Sequence, residues 1–205
     1  MADEPKKTAN VPENIKLFMF DLAGTTVDDS IEVVLLVAIA MKEAFHKNGH
    51  SIDVSLVNKY CGMEKRDAQY LKGGTTEVFQ KLKSTGAKIA VGSGFPHSVV
   101  EAITDTLNWS SLVDFVCSAE KLGHGRPHPA MIHSAIKFFG IMDLRSVAKV
   151  GDTKVDVEEG KNAGCWTIAV LTGTQSREFI ARSKPDFIIN CIADLPDLLS
   201  GTFHL

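Results

Sequence analysis

The chain has little cysteine, four residues in 205, and none of Cys61, Cys117, Cys165 and Cys191 has a CxxC partner or a histidine at ligand spacing. That excludes a structural zinc centre of the usual pattern and points to reduced, partly buried thiols, hence to a cytosolic compartment. Long apolar runs are missing too. The longest, Val33 to Met41, has nine residues, against about 20 for a membrane span. The N-terminal MADEPKKTANVPEN has no apolar stretch, so residues 1–14 are expected to be a disordered tail, not a secretory signal. Charge of one sign is absent: a net charge of −3 gives no reason to expect nucleic acid or a membrane as partner. There is no internal repeat or low-complexity segment. What is present is ordinary: 44% hydrophobic and 23% charged residues, enough chain for one well-buried domain with a small insertion at most.

Short apolar runs recur along that chain. KLFMFD (16–21), AKIAVGSG (87–94), DFVCSAE (114–120), VAKVGD (147–152), WTIAVLTG (166–173) and DFIINC (186–191) read as buried strands. Between them lie segments with helical spacing: TTEVFQKLKSTG, HSVVEAITDTLNW, PAMIHSAIKFFGI and KVDVEEGKNAGC. Strands alternating with helices predict an α/β fold, a doubly wound Rossmann-like parallel sheet covered on both faces. Its core is expected over 15–28 and 76–205. Residues 29–75 break the alternation with IEVVLLVAIAMKEAFHKNG and DVSLVNKYCGMEKRDAQYLK, a pair of helical patterns that predicts a small cap inserted after the first strand.

In such sheets functional groups gather at the carboxyl ends of the strands. Asp21, Ser93 and Asp152 each stand where an apolar run gives way to a turn, so all three converge on one edge. Phosphoryl transfer to a carboxylate needs a nucleophile, a metal, and donors around the equatorial oxygens. Asp21 offers a nucleophile or a metal ligand, and Asp152 a second ligand. Ser93, followed by Gly94, offers a hydrogen bond, and Arg126 in HGRPHP a bidentate clamp. Singly, each of these residues more often forms a turn, a cap or a solvated surface.

Taken in order, DLAGTTVDD, GSG, GRPHP and VGDTKVDVEEGKNAGCW resemble the four motifs of the haloacid dehalogenase superfamily, and within it the phosphonatase branch, the phosphonoacetaldehyde hydrolase-like proteins. The resemblance covers the chain beyond its tail, including GTQSRE and DFIINCIADLPDLL. It implies that Asp21 attacks phosphorus to form an aspartyl-phosphate. It also implies that Mg²⁺ is held by Asp21, the backbone carbonyl of Ala23 and Asp152. Thr25, Ser93 and Gly94 would bind phosphate together with Arg126, and Thr25, Thr26 and Thr153 could donate hydrogen bonds near the metal. Arg126 would stand where most of the superfamily has lysine, and Asp156 would orient Asp152 or metal-bound water. Glu158 and Glu159 are expected on a solvated helix face, Cys165 and Trp166 in the core.

Ala23 sharpens the expectation. Ordinary phosphatases of the superfamily carry there a second Asp that protonates the leaving alcohol, which alanine cannot do. A carbon leaving group is better served by an electron sink, such as the iminium that a lysine forms with a neighbouring aldehyde. The phosphonatase lysine matches Lys65 in CGMEKRDA, where Arg66 would lower its pKa. Cys61 stands where that motif has methionine, PHPAM replaces an aromatic-rich segment, and the cap is short. A short cap could leave IEVVLLVAIAM to form a homodimer. The expected substrate is a small phosphonate or phosphate metabolite. The alternatives are a phosphoglycolate phosphatase-like phosphomonoesterase of the same fold and a non-catalytic phospho-ligand binding protein.

Overall fold

Leu17–Phe20 is strand β1, buried at all four positions. Its side chains alternate between two cores: Phe18 and Phe20 enter one, Leu17 and Met19 the other. A strand that is apolar at every position belongs in a sheet covered on both faces. The computed structural model of the chain describes residues 14–27, 46, 49–51 and 74–201. The remaining strands are β2 (Lys88–Ser93), β3 (Phe115–Ser118), β4 (Val147–Gly151), β5 (Trp166–Val170) and β6 (Phe187–Ile189). They form one six-stranded sheet in the order β3-β2-β1-β4-β5-β6, and every pairing is parallel. The α/β doubly wound expectation therefore holds.

Among the described residues the four ten-residue helices follow the predicted segments, and three shorter helices are not anticipated by them. They are α1 (Thr75–Ser84), α2 (His97–Thr106), α3 (Ala119–Leu122), α4 (Ala130–Phe139), α5 (Lys154–Ala163), α6 (Arg177–Ala181) and α7 (Leu195–Leu199). Helices α1, α2 and α7 cover one face, through Phe79, Ile103, Leu195 and Leu198 packed with Phe18, Phe20 and Val150. Helices α4 and α5 cover the other, through Met131, Ile132 and Ala163 around Leu17, Met19 and Val147. Ile180 of α6 packs on that side with Val157 and Ala169.

This order places β1 beside β4 at the point where the chain reverses its direction of winding, and ligands bind outside the carboxyl ends of strands at such a point. Phe20 is level with Val150, and the backbone N–H of Asp21 donates to the Val150 carbonyl at 2.9 Å. Asp21 and Asp152 thus emerge side by side. The expected cap (29–75), the tail, Lys65, Arg66, Cys61 and the IEVVLLVAIAM segment lie outside the described residues, apart from isolated positions. Among the described residues no helix is long and apolar enough to cross a membrane.

Candidate active site

The loop after β1 is wound tightly enough to fix Asp21. The Leu22 carbonyl accepts from the backbone N–H groups of Thr26 and Val27, both at 3.0 Å. The Thr26 hydroxyl donates to the Asp21 carbonyl at 3.0 Å and to Leu22 at 3.1 Å. Thr172, after β5, closes onto the Gly24 carbonyl at 2.5 Å, and Thr75 at the start of α1 onto the Thr26 carbonyl at 2.8 Å. Thr25 donates its hydroxyl to Asp152 Oδ1 at 2.9 Å. Its hydroxyl is thereby directed at a carboxylate, orienting Asp152 from across the switch point. Ala23 is half-buried on the same loop.

Arg126 reaches in from the segment before α4. Its Nη1 lies 2.8 Å from Asp21 Oδ1 and 2.5 Å from Asp156 Oδ1. The contact with Asp21 is at ion-pair distance but not aligned as a hydrogen bond, so Oδ1 of this buried carboxylate is left without a donor. Asp156 is on the first turn of α5. Its Oδ2 accepts from the Thr153 backbone N–H at 3.1 Å and from the Thr153 hydroxyl, which ties the N-cap residue to the first turn. Ser93 is buried at the end of β2. Its Oγ accepts from Phe95 N–H at 3.2 Å, and its own O–H is left to donate. Gly94 is exposed and faces the guanidinium: a Cβ there would stand 3.8 Å from Arg126 Nη2. Asp21, Thr25, Ser93, Gly94, Arg126, Asp152, Thr153 and Asp156 therefore meet at one edge of the sheet. Lys65 lies outside the described residues.

One carboxylate oxygen each of Asp21, Asp152 and Asp156 falls within 4.8 Å of the other two, a spacing suited to a hard divalent cation. Residues 26–170 match the family model of the haloacid dehalogenase-like hydrolases. The chain belongs to that family. It is 30% identical over 149 residues to the phosphonoacetaldehyde hydrolase of Vibrio cholerae, a match covering 60% of this chain and 55% of that protein. The chain thus spans about half the length of the curated relatives it matches. Among solved structures, the phosphonoacetaldehyde hydrolase-like protein of Oleispira antarctica superposes with a TM-score of 0.67 at 18% identity, covering 94% of each chain. A haloacid dehalogenase family hydrolase of Deinococcus radiodurans, solved with phosphate and sodium, gives 0.65 at 16% identity over 94% of this chain and 97% of that one. At those identities the likeness concerns the fold.

The electrostatics of this haloacid dehalogenase-like site bear on whether a metal fits it. Burial, and next the neighbouring Asp156, raise the Asp21 pKa from 3.8 to about 6, against the pull of Arg126, Lys149 and the Leu22 N–H. For Asp156 burial is again the largest single influence and acts upward. Lys149, Arg126 and the bonds from Thr153 and Arg126 together outweigh it and hold this carboxyl below the ordinary range. Asp21, Asp152, Asp156 and Glu159 are four buried carboxylates, and Arg126 and Lys149 are the cations paired with Asp21, Asp156 and Glu159 among the described residues. A divalent cation would offset negative charge gathered there. Both oxygens of Asp156 are already engaged, by two cations and by Thr153. Asp21, whose Oδ1 has no donor, would be a better ligand than Asp156, which holds the scaffold around it.

Glu159 corrects an expectation. It is not on a solvated helix face: its side chain is 0% exposed and lies 3.0 Å from the Nζ of Lys149, itself 1% exposed. Only Glu158 behaves as expected, half-buried and 3.2 Å from Lys154. Lys149 is hidden from a local reading because it sits inside the largely apolar run VAKVG. The available signal was the lysine itself, since a cation in a strand buried on both faces needs acids opposite it. Cys165 is core, while Trp166 is half-buried at the strand edge, its ring covered by Arg145 at 3.5 Å.

Proposed function

We propose that this chain is a Mg²⁺-dependent hydrolase of a small phosphonate or phosphate metabolite, working through an aspartyl-phosphate on Asp21. The observation that carries the reading is the placement of Arg126 across Asp21 and Asp156 at the carboxyl end of β1. A planar guanidinium there can pass from the carboxylate to the equatorial oxygens of an incoming phosphoryl group. A carboxylate oxygen of Asp21 would attack phosphorus, and the bond to the leaving group would break on the opposite side. Ser93 would donate its O–H to a phosphoryl oxygen, the exposed Gly94 would admit that oxygen beside the guanidinium, and Asp156 would keep Arg126 in register. Water would then hydrolyse the acyl phosphate and regenerate Asp21. Mg²⁺, held by Asp21, Asp152 and the Ala23 carbonyl, would neutralise phosphate charge.

Ala23 favours a carbon leaving group over an alkoxide, because no acid stands two residues after Asp21 to protonate an oxygen. Cleavage of phosphonoacetaldehyde to acetaldehyde and phosphate is the sharpest form, and the similarity to the Vibrio cholerae protein supports it. In that form the Lys65 amine condenses with the aldehyde, losing water. The iminium accepts the electrons of the broken C–P bond as an enamine, and protonation and hydrolysis release acetaldehyde. The test is a Mg²⁺-dependent panel of phosphonoacetaldehyde, phosphoglycolate and p-nitrophenyl phosphate, with Asp21→Asn as control and borohydride trapping mapped by mass spectrometry. Phosphate release from phosphonoacetaldehyde with trapping at Lys65 is expected. Turnover of the esters without trapping would replace C–P cleavage by phosphomonoesterase activity. Phosphate binding without any turnover would leave a binding protein, and full activity in Asp21→Asn would refute the nucleophile.

A further inference from the structure

Lys149 is the buried cation that the chemistry above does not use. Its strand neighbours Val147, Ala148 and Val150 are fully buried apolar residues, and an ammonium in such a place is costly unless acids meet it. Two do. Nζ lies 3.0 Å from Glu159 Oε2 and 3.1 Å from Asp156 Oδ1, at ion-pair distance although not aligned for a hydrogen bond. The two acids are three residues apart on α5 and so share a face. That face closes on the sheet because Gly160 follows: a Cβ there would stand 2.6 Å from Thr167 Cγ2 and 3.0 Å from Lys149 Cβ. The charges then alternate in a row, Glu159, Lys149, Asp156, Arg126, Asp21. Asp156 Oδ1 is shared by two cations, and Arg126 Nη1 is shared by two carboxylates.

A core that needed only filling would be served as well by an apolar pair, and the charge of Lys149 lies one carboxylate away from Arg126. Asp156 cannot turn away, since Thr153 holds its other oxygen. Whatever charge Lys149 does not take up on Oδ1 acts on Arg126. We propose that Lys149, held by Glu159, is a positioning residue for Arg126. By sharing Asp156 Oδ1 it keeps the guanidinium divided between Asp156 and Asp21 instead of captured by Asp156. The functional consequence rests on the phosphoryl-transfer reading above, the structural one on geometry alone.

The deciding variant is Lys149→Met/Glu159→Leu, which removes the ion pair as a unit and strands neither of its partners. Its urea midpoint is expected close to wild type, whereas Lys149→Met alone loses stability because Glu159 is stranded. The crystal structure of the double variant should show Arg126 Nη1 beyond about 4 Å from Asp21 Oδ1. Binding of inorganic phosphate with Mg²⁺, measured by calorimetry, should weaken about tenfold, the equivalent of one charge-assisted hydrogen bond. Glu159→Gln moves the opposite way: Lys149 is then drawn wholly to Asp156, Arg126 is released towards Asp21, and phosphate affinity holds or rises while stability falls. This variant also decides if the double variant does not fold. An Arg126–Asp21 distance unchanged in the double variant overturns the positioning role, as does a Glu159→Gln protein that loses phosphate affinity along with stability. A wild-type protein that binds no phosphate removes the phosphoryl-transfer reading, and the crystallographic distance then decides the positioning role by itself.

Discussion

Replacing Asp21 by asparagine should make the metal-free protein more stable, and the gain should depend on pH. Asp21 is buried, and burial together with Asp156 raises its pKa from 3.8 to about 6 despite Arg126, Lys149 and the Leu22 N–H. At about 1.4 kcal/mol per pH unit, holding this carboxylate ionised in the folded state costs about 3 kcal/mol above that value. In the unfolded chain the same group ionises near 3.8. Between the two values the native protein binds the more protons, so this group lowers stability as pH rises from about 4 to about 6, then no further. Asp21→Asn lacks the penalty, but its amide gives Arg126 no counter-charge. A net gain of about 1–3 kcal/mol at pH 7.5 is expected, falling towards zero near pH 4. In a chain of this size that is about 2–12 °C in Tm. The assay is urea unfolding in EDTA, followed by far-UV circular dichroism from pH 4 to 8. Adding Mg²⁺ should reverse the order, because the ion binds the folded wild type better. An Asp21→Asn protein less stable than wild type in EDTA at pH 7.5, or a difference flat across pH, would refute the reasoning.

Other substitutions probe the remaining contacts. Arg126→Lys keeps the charge but loses the planar fork, in which Nη1 meets both Asp21 and Asp156 while Nη2 faces Gly94. A loss of about a hundredfold in kcat/KM is expected in steady-state assays with Mg²⁺. Thr25→Val removes the donor to Asp152 Oδ1, and Mg²⁺ affinity by calorimetry should fall about tenfold. Gly160→Ala puts a methyl 2.6 Å from Thr167 Cγ2, forcing α5 off the sheet. Its cost should be about 1–3 kcal/mol by thermal unfolding, and an unchanged Tm would mean that the helix yields more easily than its packing implies.

Much of this architecture is legible from local pattern. KLFMFD is a strand because an unbroken apolar run ending in turn residues has nowhere to go except a sheet covered on both faces, and VAKVGD follows the same pattern with one lysine inside it. Asp21 and Asp152 share an edge because parallel strands all end on the same side. The charge pattern of α5 is where local reading fails. KVDVEEG offers several acids at surface-like spacing, and nothing within the segment tells Glu158 from Glu159. One pairs with Lys154 at the surface, and the other is sealed against Lys149.

The sequence by itself determined the elements, their alternation, the family motifs and the identity of the acids at the strand ends, since these depend on residue type and short-range spacing. Tertiary structure alone decided how those acids are used. Arg126 spans Asp21 and Asp156, Thr25 orients Asp152 across 127 positions of chain, and Lys149 is buried between Asp156 and Glu159 of α5. Desolvation and ion pairing depend on which groups the sheet order brings within a few ångströms, and that distance has no counterpart along the chain.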